Sequence, residues 1–163
     1  MKNRIYIKDL KENVGKEVII AGWVDVRRDQ GKMVFFDMRD MTGKVQGVIL
    51  PSYKEVIEKA KLIRLEWVLK ITGKVNKRPE KNVKAGVMNG DIELEITGIE
   101  VLAPAESLPF DMSESGYNLE LTTELDNRAL VLRHPKVQAV FRVQETIIDA
   151  FREFMKKNMF FEF

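Results

Sequence analysis

Five stretches of period-two hydrophobic alternation, parted by turn sequences and interrupted once by a stretch of helical period, predict a mainly β fold. The expected architecture is a five-stranded barrel with one short helix, followed by a linker and a C-terminal helix. The five stretches lie between residues 16 and 101, and the helical interruption falls between the third and fourth.

Lys16–Arg27 is rich in Val, Ile and Trp, residue types that suit a pleated, half-buried surface. Trp23, directly after Gly22, is expected in the core. Asp29-Gln30-Gly31-Lys32 has turn chemistry, with Gly31 able to take positive φ. Met33–Arg39 is a second strand, Asp40-Met41-Thr42-Gly43 a second turn and Lys44–Leu50 a third strand. Phe35 and Phe36 point to opposite faces, so one is core; periodicity alone leaves open which. Pro51-Ser52 punctuates the chain, and in Tyr53–Leu65 the residues Val56, Ala60 and Ile63 recur at helical spacing. From Trp67 the period returns to two, with Trp67, Leu69, Ile71, Gly73 and Val75 on one side. Lys77–Gly90 is a long polar loop, and Asp91–Val101 is a fifth strand with a bulge expected where Gly98 breaks phase.

Three strands, a helix and two strands is the order of an OB-fold barrel. That fold binds oligonucleotides on its second and third strands, between its first-to-second and fourth-to-fifth loops. Here those loops are residues 28–32 and 77–90, and both are basic. Arg27, Arg28 and Lys32 stand near Phe35 and Phe36, with Gln46 on the next strand. Cations, a stacking ring and an amide able to read a base edge are what holding unstacked nucleotides requires.

Composition agrees with a soluble binding protein. Hydrophobic content of 45% allows a real core, and charged content is 32%. Net charge is +2, but residues 104–127 carry six acidic groups and no Lys or Arg, which leaves residues 1–103 at +5. No apolar run is long enough to cross a membrane, and MKNRIYIKDL lacks the apolar core of a signal peptide, so a cytoplasmic protein is expected. Zero Cys and a single His (His134) argue against a metal site. Asp37, Asp40 and Asp111 form no acid/base pair, and no GxGxxG, P-loop or nucleophile elbow is present, so no catalytic residue is assigned.

After Leu102, Ala103-Pro104-Ala105 and Leu108-Pro109-Phe110 are rigid punctuation, and residues 111–127 show no helical or strand pattern. The expected domains are 1–103, the barrel; 104–134, an acidic hinge or linker; and 135–163, a helix running into a strand. His134 starts the helix and Pro135 suits its first turn. Val137, Val140, Phe141, Ile147, Ile148, Phe151, Phe154 and Met155 form its apolar face. Lys156 and Lys157 complement its dipole, Asn158 is expected to end it in a left-handed conformation, and Phe160, Phe161 and Phe163 read as the start of a strand.

Three segments carry a family likeness: GWVDVRRDQGKMVFFDMRDMTGKVQ (22–46), LPFDMSESGYNLELTTELDNRALVLRHPK (108–136) and FREFMKKNMFFEF (151–163). Together they resemble the N-terminal region of bacterial-type aspartyl-tRNA synthetases, class IIb aminoacyl-tRNA synthetases; the likeness covers essentially the whole chain. The last segment resembles the first class II signature, the start of a catalytic domain. The resemblance implies that the barrel binds the tRNA anticodon. Phe35 would stack on a base, Arg28 and Gln46 would hold the central bases, and Asn82 and Glu93 would make further base contacts. Arg27, Lys32, Lys77, Arg78 and Lys81 would follow the tRNA backbone. Val140, Ile147, Phe151 and Phe154 would lie in a homodimer interface of the parent enzyme. Aspartate tRNA is the implied partner, with asparagine tRNA a further one, and no membrane is involved. The parent enzyme would use ATP and magnesium; this chain would hold neither, since the second and third class II signatures are absent from it, and it would be inactive alone. The family usually has Gly where this chain has Met159, so a different helix end is expected.

Two other readings compete. One is a free-standing OB module for single-stranded nucleic acid, against which the acidic connector and the long helix argue. The other is the same region of an asparagine- or lysine-specific class IIb ligase. Gln30, in the first basic loop, is a candidate for tuning discrimination between aspartate and asparagine tRNAs.

Overall fold

A computed structural model describes residues 4–112 and 117–163; the part of the acidic connector at 113–116 lies outside them. Five strands close into a barrel: β1 (Glu17–Gln30), β2 (Met33–Asp40), β3 (Gly43–Ile49), β4 (Val68–Lys77) and β5 (Ile92–Ala103), in the order β1-β2-β3-β5-β4 with β4 returning to β1. Only β3 and β5 pair in parallel, because the helix α1 (Lys54–Leu62) carries the chain across the end of the barrel between β3 and β4. This is the OB-fold that the element order predicts.

Period-two alternation sets the core. Val34, Phe36 and Met38 of β2 point inward with Leu69, Ile71 and Val75 of β4 and Ile92, Leu94 and Ile96 of β5. Phe36 is fully buried, which settles the choice between the adjacent rings and leaves Phe35 half-buried on the outer face. A 3-10 turn, Ile7–Asn13, adds Ile7 and Leu10 to the core. Ala60 and Ile63 do so at the α1 end. The bulge expected near Gly98 is present: Thr72 pairs with Gly98 but Gly73 with Ile96, so Thr97 is the extra residue.

Two sequence expectations in the barrel are corrected. β1 runs through Gln30, so Arg28, Asp29 and Gln30 are strand residues, and the turn is only Gly31-Lys32. Cross-strand pairing down to Gln30 and Met33 outweighs the turn propensity of Asp29, and Gly31, at φ 61°, takes the reversal. Trp23 is half-buried rather than core, with the Arg39 guanidinium 5.7 Å from its ring centroid. Gly22 lies inward at that end of β1, where an added Cβ would sit 2.2 Å from Arg39 O, so the alternation turns Trp23 outward.

The chain forms two compact units, Met1–Ser107 and Leu108–Phe163. In the first, Trp67 Nε1 donates to Ala105 O at 2.8 Å, which holds residues beyond β5 to the barrel. In the second, residues 111–127, expected to carry no pattern, contain a short helix, α2 (Leu121–Asp126), followed by α3 (Arg128–Val131). Six and four residues are too few for a hydrophobic period to register. His134 caps α4 (Pro135–Lys157): its Nδ1 accepts from Lys136 N at 3.2 Å, and its ring stacks on Tyr117 at 3.9 Å.

The end of α4 departs from expectation. Asn158 is not left-handed, at φ −97°; Met159 is, at φ 66°. Phe160 N donates to Met155 O and Met159 N to Lys156 O, both at 3.1 Å, which is a complete Schellman motif on a non-glycine residue. Its two hydrogen bonds satisfy carbonyls the helix end would otherwise leave open, against the steric cost at Met159. Residues 160–163 form no strand, since extended chain becomes a strand only with a partner to pair with. No residue of α4 is buried; Val140, Ile147, Phe151 and Phe154 are 62–64% exposed.

Candidate nucleic-acid interface

The outer face of the barrel brings sequence-distant polar residues together by register alone. Arg28 on β1 pairs with Phe35 on β2, and Phe35 with Val48 on β3. One step along, Asp37 pairs with Gln46. Gly47 pairs in parallel with Leu94, which puts the outward residues Gln46 and Glu93 on adjoining strands. Arg28, Phe35, Asp37, Gln46 and Glu93 therefore share one surface.

Arg28 crosses this surface diagonally. Its Nη2 donates to Asp37 Oδ1 at 2.7 Å and lies 3.5 Å from Gln46 Oε1. All three side chains keep access to solvent. Among the described residues, Arg28 Nε and Nη1 and Gln46 Nε2 find no hydrogen-bond acceptor, so their N–H groups remain for a ligand. Beside them Phe35 offers a half-exposed ring to a splayed base.

Glu93 and its neighbour form the far edge. Arg78 is buried, 8% exposed, with its Nε 3.9 Å from Glu93 Oε2 and no hydrogen-bond partner. Without RNA, the guanidinium expected to follow the tRNA backbone is sealed behind Glu93. Its charge instead faces Glu93. Glu95 accepts from Tyr53 Oη at 3.0 Å and from Asn76 Nδ2 at 2.8 Å, tying β5 to the start of α1 and to β4. The hydrogen bond to Glu95, followed by burial, raises the Tyr53 pKa above its ordinary 10.0.

Arg27 is held by partners within the protein. It pairs with Phe36, on the inward side of the ribbon, and its Nη1 donates to Lys61 O at 3.0 Å and Ile63 O at 2.9 Å. The guanidinium forks onto Asp29 at 3.2 and 2.8 Å. Arg27 is thus a staple from the β1–β2 hairpin to the end of α1, lining a groove of about 390 Å³ with Lys32, Pro51 and Ile57. Lys32, Lys77 and Lys81 are exposed.

Asn82 is exposed on a 3-10 turn, Glu80–Asn82, of the β4–β5 loop. That loop is anchored by Asn89, a residue the sequence reading passed over. Asn89 is buried at φ 56°, and its Nδ2 donates to Ile7 O at 3.2 Å and Lys44 O at 3.1 Å. Asp37 was also missed; the signal for it is the two-residue step from Phe35, which puts both on one face. Among the described residues no group of three or more His, Cys, Asp or Glu could hold a metal ion.

An OB barrel whose β2–β3 face carries an arginine, a half-exposed ring and an amide has the make-up of a nucleic-acid-binding protein. Comparison with known proteins narrows the class. Residues 18–102 match the tRNA anti-codon family model, described as an OB-fold nucleic acid binding domain, and the chain belongs to that family. It is 38% identical to an aspartate–tRNA(Asp/Asn) ligase of Natranaerobius thermophilus, over 99% of this chain and 28% of the relative. It is 37% identical to an aspartate–tRNA ligase of Bacillus licheniformis, over 91% of this chain and 25% of the relative. Among solved structures, the aspartyl-tRNA synthetase of Entamoeba histolytica superposes with a TM-score of 0.85 at 26% identity, over 98% of this chain and 38% of that one. Asparaginyl-tRNA synthetase from Pyrococcus horikoshii, complexed with asparaginyl-adenylate, gives 0.79 at 31% identity, over 97% and 35%. The chain spans about a quarter of the length of the curated relatives it matches. No helix is long and apolar enough to cross a membrane among the described residues.

Proposed function

We propose that this chain is the tRNA-reading region of an aspartate–tRNA ligase and that its barrel grips the anticodon. The observation that carries the proposal is the contact of Arg28 and Gln46 beside the half-exposed Phe35 on a single face. Phe35 stacks on one base. The Gln46 amide offers both a donor and an acceptor, as a uracil edge requires, and Arg28 adds donors for a neighbouring oxygen. Glu93, with the Arg78 cation behind it, accepts from the Watson–Crick edge of a guanine. Asn82 adds a base contact from the β4–β5 loop, while Lys32, Lys77 and Lys81 follow the phosphates.

In the whole ligase, the aspartate carboxylate attacks the α-phosphate of ATP, giving aspartyl-adenylate and releasing pyrophosphate. The terminal ribose hydroxyl of the tRNA then attacks the aspartyl carbonyl and takes the aspartyl group, releasing AMP. This chain supplies the anticodon contacts, while ATP and magnesium belong to a catalytic domain. The exposed residues Val140, Ile147, Phe151 and Phe154 of α4 serve a homodimer interface in the parent enzyme, a cytoplasmic one. The domain roles follow: residues 1–103 read the anticodon, 104–134 connect, and 135–163 begin the catalytic domain.

Charging of asparagine tRNA is the second reading. The Natranaerobius relative bears an Asp/Asn name, and an asparaginyl enzyme is among the structural neighbours. Gln30, exposed at the end of β1, is where the two tRNAs would be told apart.

The test is titration of fluorescent anticodon stem–loop RNAs at fixed salt. The aspartate loop should bind tighter than one whose central uridine is replaced by cytidine. The gap should be about tenfold, since one mismatched edge costs roughly 1–3 kcal/mol. Equal affinity for the two loops and for polyuridine would identify a non-specific single-strand binder instead.

A further inference from the structure

We infer that Asp37 is the positioning residue of the base-reading patch: it fixes the Arg28 guanidinium and, through it, the orientation of the Gln46 amide. The inference rests on the anticodon reading above. Asp37 lies directly across the β2–β3 ladder from Gln46, and its Oδ1 takes the Arg28 Nη2 at 2.7 Å. The same nitrogen lies 3.5 Å from Gln46 Oε1. One guanidinium nitrogen therefore bridges the carboxylate and the amide, and the carboxylate contact is the short one.

The consequences follow from donor geometry. A guanidinium is a rigid fork, so fixing Nη2 also fixes the direction of Nε and Nη1. A Gln amide that accepts on its oxygen must turn its NH2 away from the donor. With both constraints in place, three N–H groups of Arg28 and two of Gln46 keep fixed directions with no acceptor among the described residues. Without Asp37, Arg28 would keep only the long contact to Gln46, and binding would have to order a flexible side chain.

The charge of Asp37 pulls the other way. A carboxylate 2.7 Å from a surface cation weakens the attraction of the face for any polyanion. Its presence at the centre of an RNA-binding patch thus opposes generic affinity and favours oriented recognition. The two effects predict opposite outcomes when the group is removed.

The experiment compares the unmodified chain with D37A and D37N, using the aspartate anticodon stem–loop and the loop carrying cytidine at the central position. D37A is expected to lower the affinity ratio between the two loops about tenfold. The loss should come from weaker binding of the matched loop, while the mismatched loop binds as well as before or slightly better. D37N keeps an oxygen to accept from Arg28 and should recover most of the ratio. The Arg28 Nε–H resonance, sharp in the unmodified chain and in D37N, should broaden in D37A, and thermal melts check that each variant folds. Two results overturn the role of Asp37: D37A tightening both loops alike with the ratio intact, or D37N falling as far as D37A. If the unmodified chain fails to distinguish the loops, the anticodon reading itself falls and takes this inference with it. If the unmodified chain distinguishes them and D37A does too, only Asp37 loses its role.

Discussion

Replacing Arg27 by Ala should lower the stability of the barrel while leaving the salt dependence of RNA binding unchanged. The Arg27 Nη1 donates to Lys61 O and Ile63 O, at the C-terminal end of α1, where a helix has no further amide donors of its own. A hydrogen bond with a charged donor contributes about 1.5–3 kcal/mol. One nitrogen shared between two carbonyls counts as roughly one such bond, and the cation at a helix C-terminus adds about 0.3–1 kcal/mol. The exposed pair with Asp29 adds about 0–1 kcal/mol. The side chain is 22% exposed, which argues for the lower part of this range, so about 2 kcal/mol is expected. For a barrel of this size that corresponds to a melting temperature roughly 8 °C lower. A phosphate contact would give a different signature. Losing one would lower the slope of log K against log salt by about 0.7 for single-stranded RNA, with little change in melting. Circular dichroism melts and anisotropy titrations at several salt concentrations measure both quantities on one variant. Arg27→Ala with an intact melting temperature and a slope reduced by about 0.7 would refute the staple and restore Arg27 to the RNA backbone.

Asn89→Ala should destabilise the chain by about 3 kcal/mol in urea unfolding, because it removes two buried hydrogen bonds and puts Ala, which tolerates the left-handed region less well than Asn, at φ 56°. Asn89→Gly removes the bonds without the backbone strain, so it should cost about 1 kcal/mol less than the Ala variant. Met159→Gly should relieve about 1 kcal/mol at the end of α4 and raise amide protection over residues 154–158 about fivefold in hydrogen exchange. The Tyr53 hydroxyl donates to Glu95, which raises its folded pKa above the unfolded value of 10.0. The stabilisation is therefore complete below pH 10.0 and is lost as pH rises through the folded pKa. Tyr53→Phe should flatten that alkaline loss in melts taken across the range.

The barrel was legible because its signals are local. Alternation along residues 67–75 names the inward row of β4, and the phase break at Gly98 marks the bulge. The interface was legible in part. Phe35 and Gln46 fall on strands that the meander places side by side. The asymmetry between Phe35 and Phe36 was not readable, since two adjacent rings satisfy either phase until the rest of β2 is packed. The partners of Arg78 and Arg27 were not readable for a related reason: in sequence a basic residue in a basic segment looks like a phosphate contact, whatever it packs against. Whether a guanidinium meets solvent, a carboxylate or a helix end depends on chain segments far away. Lys61 O lies 34 residues from Arg27. The short helices α2 and α3 and the left-handed Met159 escaped because a single turn carries no period and because hydrogen bonds at a helix end can override a steric preference.

Periodicity and turn chemistry by themselves determined the order of the elements, the inward rows of the barrel and the strands that carry Arg28, Phe35 and Gln46, because each depends on neighbours a few residues apart. Tertiary structure alone decided which cations stay free for a ligand, which carboxylate holds Arg28 and which residue anchors the β4–β5 loop. Those outcomes depend on strand register across the closed barrel, where a shift of one residue would exchange the inner and outer faces.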